Sequence, residues 1–129
     1  MEFELLNKII LSLGANRNSE INIAAANDLL RNNFVSIHFS EPVYTEPIGD
    51  IKTGLFLNQV AIAYTSSYPD EINKILKEVE RTLGRTPESK VQGNIPIDID
   101  LLQWNDQVLK PEDLQRDYVR SLLRTLSVF

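Results

Sequence analysis

The segment 97–101, Ile-Asp-Ile-Asp-Leu, alternates strictly between apolar and acidic side chains. Successive side chains of an extended strand point to opposite faces, so this period of two predicts a strand with one apolar and one acidic face. Asp98 and Asp100 share the acidic face, about 7 Å apart at a rise of roughly 3.3 Å per residue. Because aspartate is a poor strand former and like charges repel, the pair suggests a bound cation; the alternative is a solvated polar face.

The composition narrows the functions that are open to the chain. Its 129 residues fit one domain, 1–129, and a hydrophobic content of 43% is enough for a core. The absence of cysteine excludes disulfides and thiolate metal sites, and a net charge of −5 argues against binding nucleic acid through its phosphates. No apolar run reaches the length of a membrane span, and residues 1–4 carry no basic region like that of a secretory signal. We therefore expect a soluble, cytoplasmic protein.

The apolar periodicity of the whole chain predicts alternating strands and helices. Strands are expected over 9–13, over 34–44 in two pieces, over 56–65 and at the acidic segment. Helices are expected over 21–30, from Pro69 to Gly84 and from Pro111 onward, with loops over 46–54 and 85–93. This order is that of a ferredoxin-like βαββαβ unit, an α+β fold whose antiparallel sheet carries helices on one face, here with an added C-terminal helix.

The helix ends and faces are predicted from the same patterns. Ser19 is a candidate cap for the first helix, and its buried side is expected to hold Ile21 together with apolar residues at helical spacing from it. Ser67 is a candidate cap for the second helix, before a proline that suits a first turn. Gly84 ends that helix in the usual way.

Five short segments follow one another in an order found in a known family. They are Leu13-Gly14-Ala15-Asn16, Thr45-Glu46-Pro47-Ile48-Gly49, Phe56-Leu57-Asn58, residues 80–85 and residues 97–102. In these segments the chain resembles the 6-hydroxymethyl-7,8-dihydropterin pyrophosphokinases (HPPK) of folate biosynthesis, as a divergent member that ends earlier than the family usually does. The resemblance implies the same fold and the transfer of pyrophosphate from ATP to a reduced pterin, with two Mg²⁺ ions.

The resemblance also assigns roles to residues at the matching positions. Asp98 and Asp100 match metal ligands and, with Arg85, form the catalytic set. Pterin binding falls to Thr45, Ile48, Phe56 and Asn58. Nucleotide binding falls to Arg85, Glu80 and Lys90.

Four of these residues have a plainer structural alternative. Phe56 is equally consistent with a core residue, and Asn58 with the end of a strand. Arg85 is a cation of the kind that a helix C-terminus favours. Glu80, on an amphipathic helix, would simply face solvent.

The chain departs from the family in the basic residues expected around ATP. Three positions where the family has Arg, Trp and Arg are occupied by Val91, Gln92 and Ile95. The family's later histidine has no counterpart, since the sole histidine, His38, lies far upstream on a predicted strand. Three arginines of the last helix either compensate for these losses or form a solvated face: Arg116, Arg120 and Arg124.

Three functions therefore stay open. The first is an Mg²⁺-dependent pyrophosphokinase acting on ATP and a reduced pterin. The second is a pterin-binding or partner-binding module that keeps the fold and has weakened or lost the chemistry. The third is a small ferredoxin-like domain whose open sheet edge drives self-association.

Overall fold

A computed structural model of the chain describes residues 5–47 and 54–126. The strands in these ranges are β1 (Asn7–Ala15), β2 (Ser36–Phe39), β3 (Val43–Thr45), β4 (Phe56–Thr65), β5 (Asp98–Trp104) and β6 (Gln107–Val108). The helices are α1 (Ser19–Arg31), α2 (Pro69–Thr82), α3 (Pro87–Gln92), α4 (Pro111–Leu114) and α5 (Asp117–Thr125). No helix within these ranges is long and apolar enough to cross a bilayer.

All the strand pairs are antiparallel and belong to one sheet, in the order β2-β4-β1-β5-β6. Strand β3 also pairs with β4, further along the edge that β2 uses, so the predicted strand in two pieces is confirmed. Strand β1 lies between β4 and β5, and helices α1 and α2 each connect two consecutive strands that are not neighbours in the sheet. The predicted α+β, ferredoxin-like order is therefore confirmed.

An apolar core lies on each face of the sheet. On one face, helices α1 and α2 cover the odd-numbered apolar residues of β1, of which Ile9 and Leu11 are fully buried. On the other face, Val119 and Leu122 of α5 pack against Val60 of β4. Two helices on one face with a separate C-terminal helix match the sequence prediction, and together they bury apolar residues on both faces of the sheet.

Helix α1 differs from its prediction at its start and in its buried face. Ser19 is the first helical residue rather than the cap; the cap position is Asn18, in the left-handed region with a φ of 45°. The buried residues of α1 are Ile23, Ala26, Asn27 and Leu30, whereas Ile21 is 72% exposed. The reason is a buried pair of amides, in which Asn27 Nδ2 donates to Gln59 Oε1 of β4 at 2.7 Å and fixes which side of the helix meets the sheet.

Helix α2 begins at Pro69 and is ended by Gly84 as predicted, but its cap residue lies one position later than expected. Tyr68, not Ser67, is the cap residue, because the carbonyl of Ser67 is turned toward the side chains of other elements, including the Trp104 indole at 3.1 Å. Gly84 has a φ of +96°, and the Gly84 and Arg85 N–H groups donate to the carbonyls of Arg81 and Glu80 at 3.0 Å. This Schellman end turns the chain back toward the sheet.

Two further segments hold helices that the periodicity does not separate. The predicted loop 85–93 contains α3, whose first turn is closed by the Ser89 hydroxyl accepting from the Thr86 N–H at 3.1 Å. The single C-terminal helix predicted from Pro111 is in fact α4 and α5, with an extended residue, Arg116, between them. The apolar spacing continues across this break because residues of both helices pack on the same core.

Candidate functional site

A cavity of about 200 Å³ opens on the α5 face of the sheet, where β4, β1 and β5 run side by side. Its walls come from four regions: the β3 segment, the start of β4, the start of β5, and the junction of α4 and α5. Its lining residues are Ser12, Leu13, Gly14, Thr45, Glu46, Phe56, Asn58, Ile95, Asp98, Asp100, Asp113, Arg116 and Tyr118.

Strand β1 forms the floor of this cavity with small residues. Gly14 pairs with Asn58 of β4 on one side and with Asp98 of β5 on the other, and Ser12 pairs with Asp100. A Cβ atom on Gly14 would lie 3.0 Å from Asn58 Oδ1, so glycine is what allows the amide to lie this close to the floor. The strand is longer than the predicted range 9–13, since β1 continues through Gly14 to Ala15.

The two aspartates of β5 lie side by side in this cavity, on the face opposite the main core. Each accepts a charged hydrogen bond: Asp98 Oδ1 from Arg85 Nη1 at 2.7 Å, and Asp100 Oδ1 from Lys110 Nζ at 2.9 Å. Burial, and then the charge of Asp98, raises the pKa of the Asp100 carboxyl, and Lys110 opposes that rise. The two carboxylates therefore repel each other, although each has one basic partner.

A buried carboxylate joins helix α2 to the acidic strand. Glu80 is only 8% exposed, and its Oε2 accepts from the Ile99 N–H at 2.8 Å and from Arg85 Nη1 at 3.0 Å. Glu80 therefore does not face solvent; burial raises its pKa, although the Ile99 and Arg85 contacts lower it. Glu80 holds the backbone between the two aspartates, while Arg85 reaches past it to Asp98.

An aromatic ring and an amide form the opposite side of the cavity. Phe56 and Asn58 stand two residues apart on β4, and Thr45 of β3 pairs with Phe56. Asn58 is buried within the strand rather than at its end, and its Nδ2 donates to Thr45 Oγ1. The Phe56 ring is half-buried and lines the cavity instead of either core. Ile48 lies outside the described residues.

The last wall lies at the junction of α4 and α5, and only Arg116 of this wall was considered from the sequence. Asp113, Arg116 and Tyr118 reach the cavity because the break between α4 and α5 turns this corner inward; Arg116 Nε donates to Asp113 Oδ1 at 3.1 Å. Burial raises the pKa of the Tyr118 hydroxyl. Asp113 and Tyr118 were not singled out from the sequence.

The remaining basic residues of the sequence analysis lie elsewhere. Arg120 lines a separate surface depression beside Ile10, and Arg124 contacts Ser121 of its own helix. Lys90 is exposed on α3 and is not among the described residues that line the cavity.

The segment after α3 is fixed to the floor by one asparagine. Asn16 Nδ2 donates to the Gly93 carbonyl at 2.7 Å, and Asn16 Oδ1 accepts from the Ile95 N–H at 2.6 Å. These two bonds place Ile95 in the cavity wall, whereas Val91 of α3 is exposed. The wall is therefore apolar at a position where the family resemblance leads us to expect arginine.

The carboxylate pair has the chemistry of a partial site for a hard cation. Mg²⁺ is commonly held by one or two carboxylates plus substrate phosphates and water. Among the described residues, no group of three or more Asp, Glu, His or Cys is arranged to hold a metal ion, so further ligands have to come from water or a bound phosphate. A cation would also relieve the repulsion that raises the pKa of Asp100. The residues fit such an ion.

The fold and cavity define a class of protein: a ferredoxin-like α+β chain with a carboxylate pair facing an aromatic and amide pocket across a glycine floor. Residues 10–127 match the family described as 7,8-dihydro-6-hydroxymethylpterin-pyrophosphokinase, HPPK. The chain belongs to this family. The resemblance given by the five sequence segments is thereby confirmed.

Several curated proteins are similar to the chain over most of its length. It is 32% identical, over 87% of this chain and 85% of the relative, to the 2-amino-4-hydroxy-6-hydroxymethyldihydropteridine pyrophosphokinase of Porphyromonas gingivalis. It is 35% identical to the protein of the same name from Aquifex aeolicus, over 83% of this chain and 67% of the relative. It is 27% identical to the Folate synthesis bifunctional protein of Arabidopsis thaliana, over 79% of this chain and 22% of the relative.

The raised pKa of Asp100 predicts how stability depends on pH in metal-free buffer. A carboxyl that binds its proton more tightly when folded stabilises the protein at low pH, and that stability is lost as pH rises from the unfolded pKa through the folded one. We expect Asp100→Asn, which keeps an oxygen for Lys110, to become progressively more stable than the wild type as pH rises from about 4, the ordinary pKa of an aspartate. Urea unfolding with EDTA measures this; a difference that shrinks as pH rises contradicts it.

Proposed function

We propose that this chain transfers pyrophosphate from ATP to 6-hydroxymethyl-7,8-dihydropterin, a reaction of folate biosynthesis. The observation that carries the proposal is that the carboxylate pair, Asp98 and Asp100, opens into the same cavity as Phe56 and Asn58. A cation-bound polyphosphate and a flat heterocycle can therefore meet in one hollow. Family membership and the pyrophosphokinase names of the relatives support the same reaction.

In this reaction the hydroxymethyl oxygen of the pterin attacks the β-phosphorus of ATP. The bond from that phosphorus to the oxygen bridging to the α-phosphate breaks, AMP leaves with the bond's electron pair, and the hydroxyl proton passes to water. Asp98 and Asp100, together with the phosphates of ATP, would hold two Mg²⁺ ions, and these would neutralise the polyphosphate charge. The chain's own contribution is to hold the two substrates in line and to exclude water.

The pterin is assigned to the β3 and β4 side of the cavity. The Asn58 amide has both donor and acceptor atoms for the edge of the heterocycle, and its contact with Thr45 keeps it in one orientation. The Phe56 ring offers a face for stacking. Ile48 is proposed as a fourth contact on the basis of the family resemblance.

The nucleotide is assigned to the β5 side. Arg85 lies against Asp98, which places its guanidinium beside a cation held by the pair and beside the phosphates that the cation would bind. Glu80 acts through Arg85, since its carboxylate is buried beneath the guanidinium. Lys90 on α3 is proposed as an outer contact to the nucleotide, and Arg116 as the basic residue of the cavity wall.

A specific charge pattern supports a second candidate, a pterin-binding module with weakened ATP chemistry. The described lining of the cavity has Arg116 as its basic side chain but four acids: Glu46, Asp98, Asp100 and Asp113. Each missing charge-assisted bond to a triphosphate costs about 1.5 to 3 kcal/mol. In this second case a reduced pterin would bind without turnover.

The setting of the reaction is proposed on chemical grounds. We place it in the cytoplasm, where ATP and reduced pterins are both available. We further propose that residues 1–129 form one domain, since both described cores pack on a single sheet. Nucleic acid is not proposed as a partner, because the chain carries a net charge of −5.

Removing either charge of the carboxylate pair tests the first candidate. With ATP, Mg²⁺ and the hydroxymethyl-dihydropterin, Asp98→Asn and Asp100→Asn should each lower AMP release by about a hundredfold or more, because several kcal/mol of charge stabilisation depend on the held cation. The matched control is Asp28→Asn, on an exposed α1 side chain that is 78% accessible, with no change expected.

Undiminished AMP release in either aspartate variant contradicts the assigned roles. Wild-type protein that binds the pterin by calorimetry, does not bind ATP at millimolar Mg²⁺ and releases no AMP would instead identify the pterin-binding module.

The glycine floor predicts an effect on pterin binding alone. In Gly14→Ala the new Cβ would press on Asn58 Oδ1 at 3.0 Å and turn the amide, so pterin affinity should fall by about three- to tenfold while stability changes by less than about 1 kcal/mol. Calorimetry measures the affinity, and Asn58→Ala is the reference variant. Because the two changes act on one group, Gly14→Ala should have little further effect in the Asn58→Ala background; full additivity would contradict the account.

A further inference from the structure

The two aspartates of β5 are neutralised by basic side chains from different elements. Arg85, just beyond the end of α2, contacts Asp98, and Lys110, between β6 and α4, contacts Asp100. The two contacts are of similar length, 2.7 and 2.9 Å. Each therefore takes up a carboxylate oxygen that a divalent cation would also use.

The two basic residues differ in how firmly they are held. The Arg85 side chain is 22% exposed, and its Nη1 also donates to Glu80 and to the carbonyl of Ile97 at 3.3 Å. The Lys110 side chain is 47% exposed, and among the described residues its Nζ hydrogen-bonds to Asp100 alone. Breaking one partly exposed ion pair costs little, because solvent replaces much of the interaction.

The backbone of Lys110, by contrast, is fixed beside the acidic strand. Its N–H donates to the Leu102 carbonyl at 3.2 Å, and its carbonyl accepts from the Leu114 N–H at 3.0 Å, at the start of α4. The flexible four-carbon side chain is therefore attached at a fixed point next to Asp100, while its ammonium group is able to move. Since Asp100 lines the cavity, an ammonium group that leaves this carboxylate starts at the cavity's edge.

We infer that Lys110 is an internal counter-ion, which occupies Asp100 while no divalent cation is bound and transfers to a nucleotide phosphate when the cation–nucleotide complex enters. The inference rests on the proposed function. A cation at Asp100 repels the ammonium group, and the phosphates that arrive with it attract that group. Lys110 and Arg116 thus share the compensation of the phosphate charge, because Arg116 is the basic side chain of the described cavity wall.

This role has a consequence that a purely structural lysine does not share. Lys110 competes with a free divalent cation for Asp100 but assists the binding of a cation–nucleotide complex. Removing its charge should therefore strengthen the binding of the free cation and weaken the binding of the cation–nucleotide complex. A lysine that only supports the fold would move both in the same direction or leave both unchanged.

The test measures both affinities in the full chain. Free Mn²⁺ is followed by electron paramagnetic resonance with Mn²⁺ alone, and α,β-methylene ATP with Mg²⁺ is titrated by calorimetry. In Lys110→Met we expect Mn²⁺ alone to bind about tenfold more tightly, as expected when an opposite charge next to a carboxylate is removed. The Mg²⁺ analogue should bind about tenfold more weakly or worse, because a charge-assisted bond is lost.

Two further variants keep the result interpretable. Lys74→Met makes the same change in net charge on the exposed surface of α2 and should alter neither affinity. Lys110→Arg keeps the charge and should restore nucleotide binding to within a few-fold of wild type. If thermal unfolding shows that Lys110→Met is not folded, Lys110→Gln replaces it in the same measurements.

The outcomes separate the inference from the function beneath it. Wild-type protein that binds both ligands, with Lys110 variants that change them in the same direction or not at all, overturns the counter-ion role alone. Wild-type protein that binds neither Mn²⁺ nor the nucleotide analogue overturns the proposed function and the inference with it. Opposite changes in Lys110→Met, with Lys74→Met unaffected, support the counter-ion.

Discussion

The geometry of the site depends on the buried carboxylate of Glu80. It accepts from the backbone of β5 at Ile99, midway between the two aspartates, and from the guanidinium of Arg85, which continues to Asp98. The Schellman end of α2 makes this possible, because Gly84 in the left-handed region turns Arg85 back toward the strand. One helix end therefore sets both the position of the acidic strand and the direction of its first carboxylate.

The same period of two that builds the main core also builds the cavity. In β1 the larger residues, such as Leu11 and Leu13, face α1 and α2, while Ser12 and Gly14 face the opposite side. Residues this small leave space between β4 and β5 at the height of the aspartates. Core and cavity are thus two sides of the same strands, so a shift of register by one residue would remove both.

The sequence was sufficient wherever the structure is decided locally. Strict alternation placed Asp98 and Asp100 on one face, and the strand with Phe56 and Asn58 was predicted with its observed bounds, because side-chain direction in a strand follows from sequence position alone. The α+β order was predictable because the apolar period within each short segment distinguishes a helix from a strand. The family resemblance added the reaction, which periodicity alone could not indicate.

The sequence was insufficient where distant residues decide. The buried face of α1 depends on Asn27 meeting Gln59, 32 residues away, and the burial of Glu80 depends on a strand 19 residues downstream. The inward corner at Tyr118 arises from a helix break that the apolar period spans. In each case the position of the side chain depends on residues that come together only on folding.

The central claim is that a divalent cation binds at Asp98 and Asp100 within the hollow that Phe56 and Asn58 also line. Paramagnetic line broadening in amide NMR spectra, with Mn²⁺ and α,β-methylene ATP, tests it most directly. The account predicts that the amides of residues 98–100, Gly14 and Asn58 broaden first, while those on the outer surface of α1 stay sharp. Broadening that is centred elsewhere, with the β5 amides unaffected, would contradict the claim.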